Sequence, residues 1–213
     1  MKKLIFFILI SSICCFNLRH AKQTYDSYVM AVQWPNAVCV NGCQGRDSIV
    51  EKNTLTIHGL WPSLKNGNQL APCTSGVTIR DDGSELFKNL RKYWPSLTGE
   101  NTKFWEHEYN KHGYCMVEEK GWSGYRNYFQ KVLDIFQNYK NLLINIFPSQ
   151  KTVKVTYDEM KQAVKKIIPN ALFKMNCKSN YLTEFYFYLN KDFAPIGSYH
   201  FSNNCNSATV IFK

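Results

Sequence analysis

The stretch that decides the fold is FWEHEYNKHGYC, residues 104–115, in which charged and aromatic side chains are interleaved. It predicts a short helix over 104–112, which Gly113 ends because glycine is favoured just past a helix terminus. Two histidines in a helix raise the question of zinc, since the pattern H-E-x-x-H holds that metal in proteases. Here Lys111 takes the second ligand's place, and His112 lies about 140° from His107 around an α-helix. Two imidazoles so placed do not share one ion, so we predict no metal site.

Four polar side chains of this helix form two pairs at i, i+4 spacing. Glu108 shares one face with His112, and His107 shares an adjacent face with Lys111. The carboxylate of Glu108 and the negative end of the helix dipole are both expected to raise the pKa of His112. A protonated imidazole beside the fixed charge of Lys111 suits phosphoryl transfer, in which negative charge develops. The alternative is a solvated helix face of mixed charge.

A second stretch, TIHGLWP at residues 56–62, places a histidine in a predicted strand. The alternation of side chains puts Leu55 and Ile57 on one face of this strand and His58 on the other. His58 is then a candidate base beside Trp61, whose ring offers a stacking surface for a nucleobase. The alternative is a hydrogen-bonded structural histidine beside a core tryptophan.

The remaining sequence predicts strands at both ends of the chain and helices in the middle. Caps and periodicity indicate helices over about 84–94, 125–139 and 156–168, and β-rich runs lie at 28–34, 55–58, 184–189 and 208–212. Strands that flank a helical middle imply an α+β fold rather than a β-α-β repeat. The 213 residues contain no repeat or linker. We therefore expect a single domain with a central, mostly antiparallel sheet packed by helices.

The first residues predict a secretory signal segment, 1–20, that is removed. Two lysines precede an apolar run, 4–16, that is too short to span a bilayer. Cleavage after Cys15 and cleavage near Ala21 both fit, and we take the mature domain as 21–213. A membrane anchor is the alternative, but no stop-transfer pattern follows. We predict no membrane span, and a destination that is either secreted or the lumen of a lysosome or vacuole.

Six of the eight cysteines fall in the mature domain, which predicts three disulfide bonds in an oxidising compartment. Six cysteines permit 15 pairings, so counting does not assign them. Zinc is disfavoured because Cys39 and Cys43 form the only close pair. The net charge of +10 favours a polyanionic partner, either RNA, a glycosaminoglycan or an anionic membrane.

Taken together, the two histidine stretches resemble the active-site motifs of the ribonuclease T2 family of secreted and vacuolar endoribonucleases. TIHGLWP matches the first motif, and FWEHEYNKHGYC matches the second, FWxHEWxKHGTC. Between them, residues 90–97 are similar to the family's YWPSL segment. Residues 32–35 followed by Cys39 resemble its first strand, and 195–197 resemble its C-terminal stretch. The resemblance covers nearly the whole mature chain.

This resemblance implies a monomeric endoribonuclease that acts on single-stranded RNA without a metal or other cofactor. We favour His58 as the base that takes the proton of the ribose 2′-hydroxyl, and His112 as the acid that protonates the departing 5′-oxygen. Lys111 with Glu108 would stabilise the five-coordinate phosphorus, and His107 would hold the phosphate. The product would be a 2′,3′-cyclic phosphate, later opened to a 3′-phosphate. DNA would be inert because it lacks the 2′-hydroxyl.

The resemblance further implies substrate contacts and disulfide pairings. Trp61 would stack on a base, and Gln33 is a second candidate for contacting one. Tyr188 stands where many relatives carry a further cysteine, so a fourth bridge is not expected. Ser63 stands where some members carry a base-contacting aspartate, while Tyr109 and Tyr114 replace the family's Trp and Thr. The implied bridges are Cys39–Cys43, Cys73–Cys115 and Cys177–Cys205.

Two other functions compete with an endoribonuclease. A family member recruited as a binding or toxin-like protein would retain the fold with incidental catalysis, but all five catalytic-type positions are filled. A basic secreted module that binds anionic surfaces would show salt-sensitive binding to RNA and heparin without cleavage.

Overall fold

The computed structural model describes residues 24–40, 43, 54–64, 70–73, 75–146, 152–197, 204–205 and 207–210. The predicted signal segment, 1–20, lies outside these residues. Within the described ranges, no helix combines the length and the apolar character needed to cross a membrane.

A six-stranded sheet forms the centre of the fold, and it is mostly antiparallel as predicted. The order is β2-β1-β5-β6-β3, with β4 paired to β5. The one parallel contact among these strands joins β5 to β6. The strands are β1 (Ser27–Gln33), β2 (Thr56–Ser63), β3 (Val153–Thr156), β4 (Phe173–Lys178), β5 (Tyr181–Leu189) and β6 (Ser207–Val210).

Helices fill the middle of the chain and confirm the α+β class. They are α1 (Pro35–Val38), α2 (Glu85–Tyr93), α3 (Asn101–Glu108), α4 (Tyr114–Lys120), α5 (Gly124–Ile144) and α6 (Tyr157–Ile167). The predicted capping box is confirmed at the start of α6, where the Thr156 hydroxyl accepts from the backbone N–H of Glu159 and the Glu159 carboxylate accepts in return from the Thr156 backbone. Helix α2 ends at Tyr93, before Pro95, as its sequence predicts.

The sheet buries both of its faces, but in unequal cores. The larger core lies between one face and the helices, with α5 contributing a row of buried aromatic and aliphatic side chains. On the opposite face, alternate residues of β1 and β5 form a smaller cluster with Trp61: Val29, Ala31, Tyr186 and Tyr188. This alternation follows from the pleat of the strands. The smaller face carries the candidate site.

The helix predicted over 104–112 does not end at Gly113, and this prediction is wrong. Residues Tyr109–Gly113 form a π-helical turn, closed by a hydrogen bond from the N–H of Tyr114 to the carbonyl of Tyr109, and the chain continues into α4. A Cβ at Gly113 would come within 2.7 Å of the Tyr128 ring on α5. Glycine is therefore needed at this position for close packing rather than as a helix stop.

Three disulfide bonds occur among the described residues, with the pairings implied by the family resemblance. Cys39 bonds Cys43, Cys73 bonds Cys115, and Cys177 bonds Cys205. The second bridge ties the segment after β2 to the start of α4. It lies beside the π-helical turn, because the N–H of Cys73 also donates to the carbonyl of Lys111 at 3.0 Å.

Candidate active site

His58 lies at a β-bulge in β2. The pairing register with β1 shifts there, so that Ala31 faces Gly59 while Val32 faces Ile57, leaving His58 without a partner residue. Such a bulge re-aims a side chain and is common beside active sites. Here it puts His58 and Trp61 on the same face of the sheet, with their rings 5.1 Å apart edge-on.

A buried tryptophan in the segment between the two motifs stabilises the bulge from the core side of the sheet. The indole N–H of Trp94 donates to the carbonyl of His58 at 2.7 Å. The indole N–H of Trp105, on α3, donates in turn to the carbonyl of Trp94 at 2.8 Å. Both rings are fully buried. The backbone of His58 is thus fixed from the core, while its imidazole remains 27% exposed on the other side.

The imidazole of His58 lies between two carboxylates. Its Nδ1 is 2.5 Å from Oε1 of Glu184 on β5, and its Nε2 is 3.8 Å from Oε1 of Glu108 on α3. Burial lowers the pKa of His58, but the hydrogen bond to Glu184 and the negative charges of both carboxylates outweigh it and leave the pKa raised. Lys111 opposes this effect only in part.

Glu108 joins the two motifs. Its side chain is 2% exposed, and its Oε2 accepts a 2.7 Å hydrogen bond from the indole N–H of Trp61. Burial raises the pKa of Glu108 to about 7, against the opposing effects of His58, Trp61 and Lys111. The approach requires a glycine at position 59, because a Cβ there would collide with both Nε1 of Trp61 and Oε2 of Glu108.

His112 contradicts the sequence-based expectation for its charge. It is 7% exposed, on the π-helical turn, and burial together with the charges of Lys111, His107 and His58 lowers its pKa to about 3. The predicted increase is wrong for two reasons. Glu108 is directed towards Trp61 and His58, and no helix terminus lies at His112, because the chain continues into α4.

Trp61 contacts both candidate catalytic imidazoles. Its ring centroid is 5.1 Å from that of His58 and 5.3 Å from that of His112, the second pair being tilted by 34°. Only 7% of Trp61 is exposed. Most of its surface is therefore covered by neighbouring side chains, and little remains for a base to stack on.

The remaining predicted site residues lie around this centre. His107 is exposed on α3, and partial burial and the charges of Lys111 and His58 lower its pKa. Lys111 is half-buried on the π-helical turn and lowers the pKa of both His107 and His112. Gln33 pairs across the sheet with Glu184, and its side-chain oxygen is buried without a hydrogen-bond partner among the described residues. Within the described ranges, the side-chain oxygen of Gln33 is thus an unpaired acceptor next to Glu184.

Sequence reasoning missed Glu184. Its Oε2 accepts from the hydroxyl of Tyr186 at 2.6 Å and from the side-chain amide of Asn176 at 2.8 Å. Burial raises the pKa of Glu184, but the hydrogen bond and charge of His58 and these two donors lower it to about 2. A signal was present, because Glu184 is the one charged residue in the otherwise apolar and aromatic strand β5.

Across the described ranges, no cluster of three or more histidine, cysteine, aspartate or glutamate side chains has a geometry that would hold a metal ion. The 140° separation assumed for His107 and His112 applies to a regular α-helix, whereas the turn between them is π-helical. The site instead combines an imidazole with a raised pKa, an imidazole with a lowered pKa, a buried carboxyl group and an ammonium group. This combination can give one proton and accept another at the same substrate.

Comparison with known proteins identifies the class that this fold and site define. Residues 25–205 match the model of the ribonuclease T2 family. The ribonuclease T2 protein rnst-2 of Caenorhabditis elegans is 29% identical over 185 residues, covering 80% of this chain and 64% of that protein. The extracellular ribonuclease LE of Solanum lycopersicum is 28% identical over 137 residues, covering 62% and 59%. The structure of ribonuclease MC1 from bitter gourd seeds superposes with a TM-score of 0.67 at 26% identity, covering 88% and 100%.

The chain belongs to the ribonuclease T2 family, as the two motifs indicated. It spans less than two thirds of the length of these two curated relatives. It matches ribonuclease MC1 over the whole of that chain.

Proposed function

We propose that this protein is an endoribonuclease that cleaves single-stranded RNA by attack of the ribose 2′-hydroxyl on the adjacent phosphate. The observation that carries the proposal is that the imidazoles of His58 and His112 both lie against the Trp61 ring, at 5.1 and 5.3 Å, with pKa values shifted in opposite directions. Attack and departure at one phosphorus need a base and an acid at the same time. Family membership supports RNA as the substrate.

The roles of the two histidines are the reverse of those expected from sequence. The low pKa of His112 leaves it neutral near pH 7, so it is the base that takes the proton of the 2′-hydroxyl. The raised pKa of His58 favours its protonated form, so we assign it as the acid that gives a proton to the 5′-oxygen. A bond forms from O2′ to phosphorus while the bond to O5′ breaks, and a 2′,3′-cyclic phosphate results. In the second step, neutral His58 takes a proton from the attacking water, the bond from phosphorus to O2′ breaks, and His112 returns its proton to O2′, which leaves a 3′-phosphate.

Lys111 and Glu108 act on the charge that develops at the phosphorus. The ammonium group of Lys111 attracts the additional negative charge of the five-coordinate species, and a partly buried position strengthens this effect. With a pKa of about 7, Glu108 is partly protonated near neutral pH and presents an O–H to a phosphate oxygen in that state. His107, which is exposed on the rim, would hold the phosphate of the incoming strand.

The surroundings of the substrate follow from the same scheme. The nucleophile belongs to RNA, so no metal ion is required to generate one, and DNA lacks it. Gln33, whose side-chain oxygen has no hydrogen-bond partner among the described residues, and Trp61, which is 7% exposed, are the candidates for contacting a base. Three disulfide bonds support a location in the secretory pathway or beyond it, either secreted or in a lysosome or vacuole. We propose that the enzyme acts as a monomer.

The test is incubation of the protein with single-stranded RNA at pH 5 and pH 7 in EDTA, with product ends analysed by mass spectrometry. We expect cleavage, cyclic phosphate ends early and 3′-phosphate ends later. The variants His58→Ala and His112→Ala should each lose cleavage by about 10² or more, whereas Lys161→Ala on the exposed face of α6 should retain it. Intact RNA with the wild type contradicts the function, and cleavage that EDTA abolishes contradicts the metal-free chemistry.

A further inference from the structure

We propose that Glu184 is a positioning residue for the catalytic acid, fixing the orientation of the His58 ring and which of its nitrogens delivers the proton. This inference rests on the proposed function, because it assigns a role in that reaction. Glu184 lies outside both motifs, on β5, and 126 residues after His58.

The first support is the way the carboxylate of Glu184 is held. Oε1 accepts a hydrogen bond from Nδ1 of His58, at 2.5 Å, while Oε2 accepts from Tyr186 and from Asn176. Asn176 is itself held, because its Oδ1 accepts from the side-chain amide of Asn204 at 2.6 Å. The side chain of Glu184 is 12% exposed. A carboxylate fixed by several donors on a strand cannot follow a moving imidazole, so it sets the orientation of the ring.

The second support is the division of labour between the two ring nitrogens. A carboxylate accepts but does not donate, so contact with Glu184 keeps a proton on Nδ1 in both charge states of His58. The nitrogen that gains and loses a proton is therefore Nε2, which faces Glu108 at 3.8 Å on the side of the site. In the first step Nε2–H protonates the leaving 5′-oxygen. In the second step the free lone pair of Nε2 takes a proton from water.

The third support is the balance of charge around His58. The negative groups that act on it are Glu184 from β5 and Glu108 from α3, and the positive one is Lys111 from the π-helical turn. His107 and His112 also face it and repel its charge when they are protonated. Burial of the imidazole opposes its charge throughout. Without Glu184, burial and Lys111 are opposed by Glu108 alone, and the ring loses its proton at lower pH.

The kinetic test compares Glu184→Gln with wild type in the pH dependence of kcat/KM on a single-stranded RNA oligomer of mixed sequence. The alkaline limb reports loss of the proton from the acid His58, and it should move down by about one pH unit or more, because a nearby opposite charge has been removed. At a pH above both limbs, this corresponds to about a tenfold loss of rate. The acidic limb reports His112, which Glu184 does not contact, and it should stay in place.

The matched control is Glu119→Gln. Glu119 is also a partly buried carboxylate, 20% exposed, and its partner is Lys191 at 2.7 Å rather than a site residue. Neither limb should move in this variant. If the alkaline limb of Glu184→Gln coincides with that of the control, or if both limbs fall together, the proposal is overturned.

A second measurement is independent of activity. The ¹⁵N and ¹H signals of His58 report its tautomer and pKa in the full chain without RNA, so they test the link to Glu184 even if the protein does not cleave RNA. We expect the Nδ1–H tautomer and a higher pKa in wild type than in Glu184→Gln. The variant Glu184→Asp retains the charge on a shorter side chain and should fall between them. An unchanged His58 titration in both variants contradicts the proposal, including when Glu184→Gln is poorly folded and only Glu184→Asp is measured.

Discussion

The indole N–H of Trp61 donates a 2.7 Å hydrogen bond to the carboxylate of Glu108, and this contact connects β2 to α3 across the candidate site. Both residues are more than nine-tenths buried. The contact therefore fixes the distance between the strand that carries His58 and the helix that leads to Lys111 and His112. Disturbing either partner should alter the site as a whole.

Replacing Gly59 by alanine should disrupt this contact from the strand side. The new Cβ would collide with both the indole nitrogen of Trp61 and the carboxylate of Glu108. We expect a loss of about 1–3 kcal/mol in the free energy of unfolding and of most RNA cleavage. Gly99→Ala is the matched control, because its Cβ would make only an ordinary 3.8 Å contact with Ser96. Urea unfolding and initial rates measure both effects, and equal behaviour of the two variants would contradict the steric argument.

Replacing Glu108 by glutamine should lower RNA cleavage, but it should raise the free energy of unfolding at neutral pH. The carboxyl group of Glu108 has a pKa of about 7 in the folded protein, whereas the ordinary pKa of a glutamate is 4.5. The folded state therefore binds this proton more tightly than the unfolded state does. This group therefore makes the wild type less stable as pH rises from about 4.5 to about 7. Glu108→Gln lacks this dependence and still accepts from Trp61. We expect it to be more stable than wild type by about 1–3 kcal/mol at pH 8.

The control for this prediction is the same comparison at low pH. Below about pH 4.5 the wild-type carboxyl group is protonated in both states, so the difference in unfolding free energy should vanish there. Denaturant unfolding at pH 4, 6 and 8 gives the three values. A glutamine variant that is less stable than wild type at pH 8 would show that Glu108 is stabilising as an anion.

Neutralising Lys111 should affect both the rate and the acidic limb of the pH profile. Burial is the largest cause of the low pKa of His112, and the charge of Lys111 is the next. In Lys111→Gln the pKa of His112 should rise, so the base becomes protonated at higher pH and the acidic limb moves up by about one pH unit. The maximal rate should fall by about 10²–10³, because a charge that stabilises the transition state is removed. Lys161→Gln on α6 is the control, and a limb that stays in place in Lys111→Gln would refute the coupling.

The disulfide bonds should contribute unequally to stability. The bridge between Cys73 and Cys115 closes 42 residues of chain, whereas that between Cys39 and Cys43 closes 4. In the chain-entropy description, their removal costs about 4 and about 2 kcal/mol, respectively. Paired cysteine-to-alanine variants, compared by thermal unfolding, test the order. Only removal of the Cys73–Cys115 bridge should also reduce cleavage. This bridge fixes the segment in which the N–H of Cys73 donates to the carbonyl of Lys111.

Regular patterns made most of the fold predictable. The capping box at Thr156, the end of α2 before Pro95 and the antiparallel strands all follow from local rules that the surroundings do not override. The π-helical turn was not predictable in this way. It depends on the close packing of Gly113 against Tyr128, and the two are brought together only by the tertiary fold. The expectation that the helix ends at Gly113 contributed to the wrong direction expected for the pKa of His112, which burial lowers.

The site was predictable where the motifs are local and not where it depends on pairing between distant strands. The family resemblance identified both candidate catalytic histidines and the three disulfide bonds. Glu184 was missed because its contact with His58 arises from the neighbouring strands β1, β2 and β5. Sequence spacing carries no information on such a contact. The burial of His112 and the contact of His58 with Glu184 underlie the exchange of roles that we propose for the two histidines.

Because of the β-bulge at His58, the number of residues between His58 and Trp61 is critical for the site. A regular strand returns to the same face every second residue, but here the step from His58 to Trp61 spans three. Deleting or inserting one residue between them would rotate Trp61 into the main core and detach Glu108 from its donor, even though every side chain of the motif remained. Length changes of a single residue in this strand would therefore separate the two halves of the site.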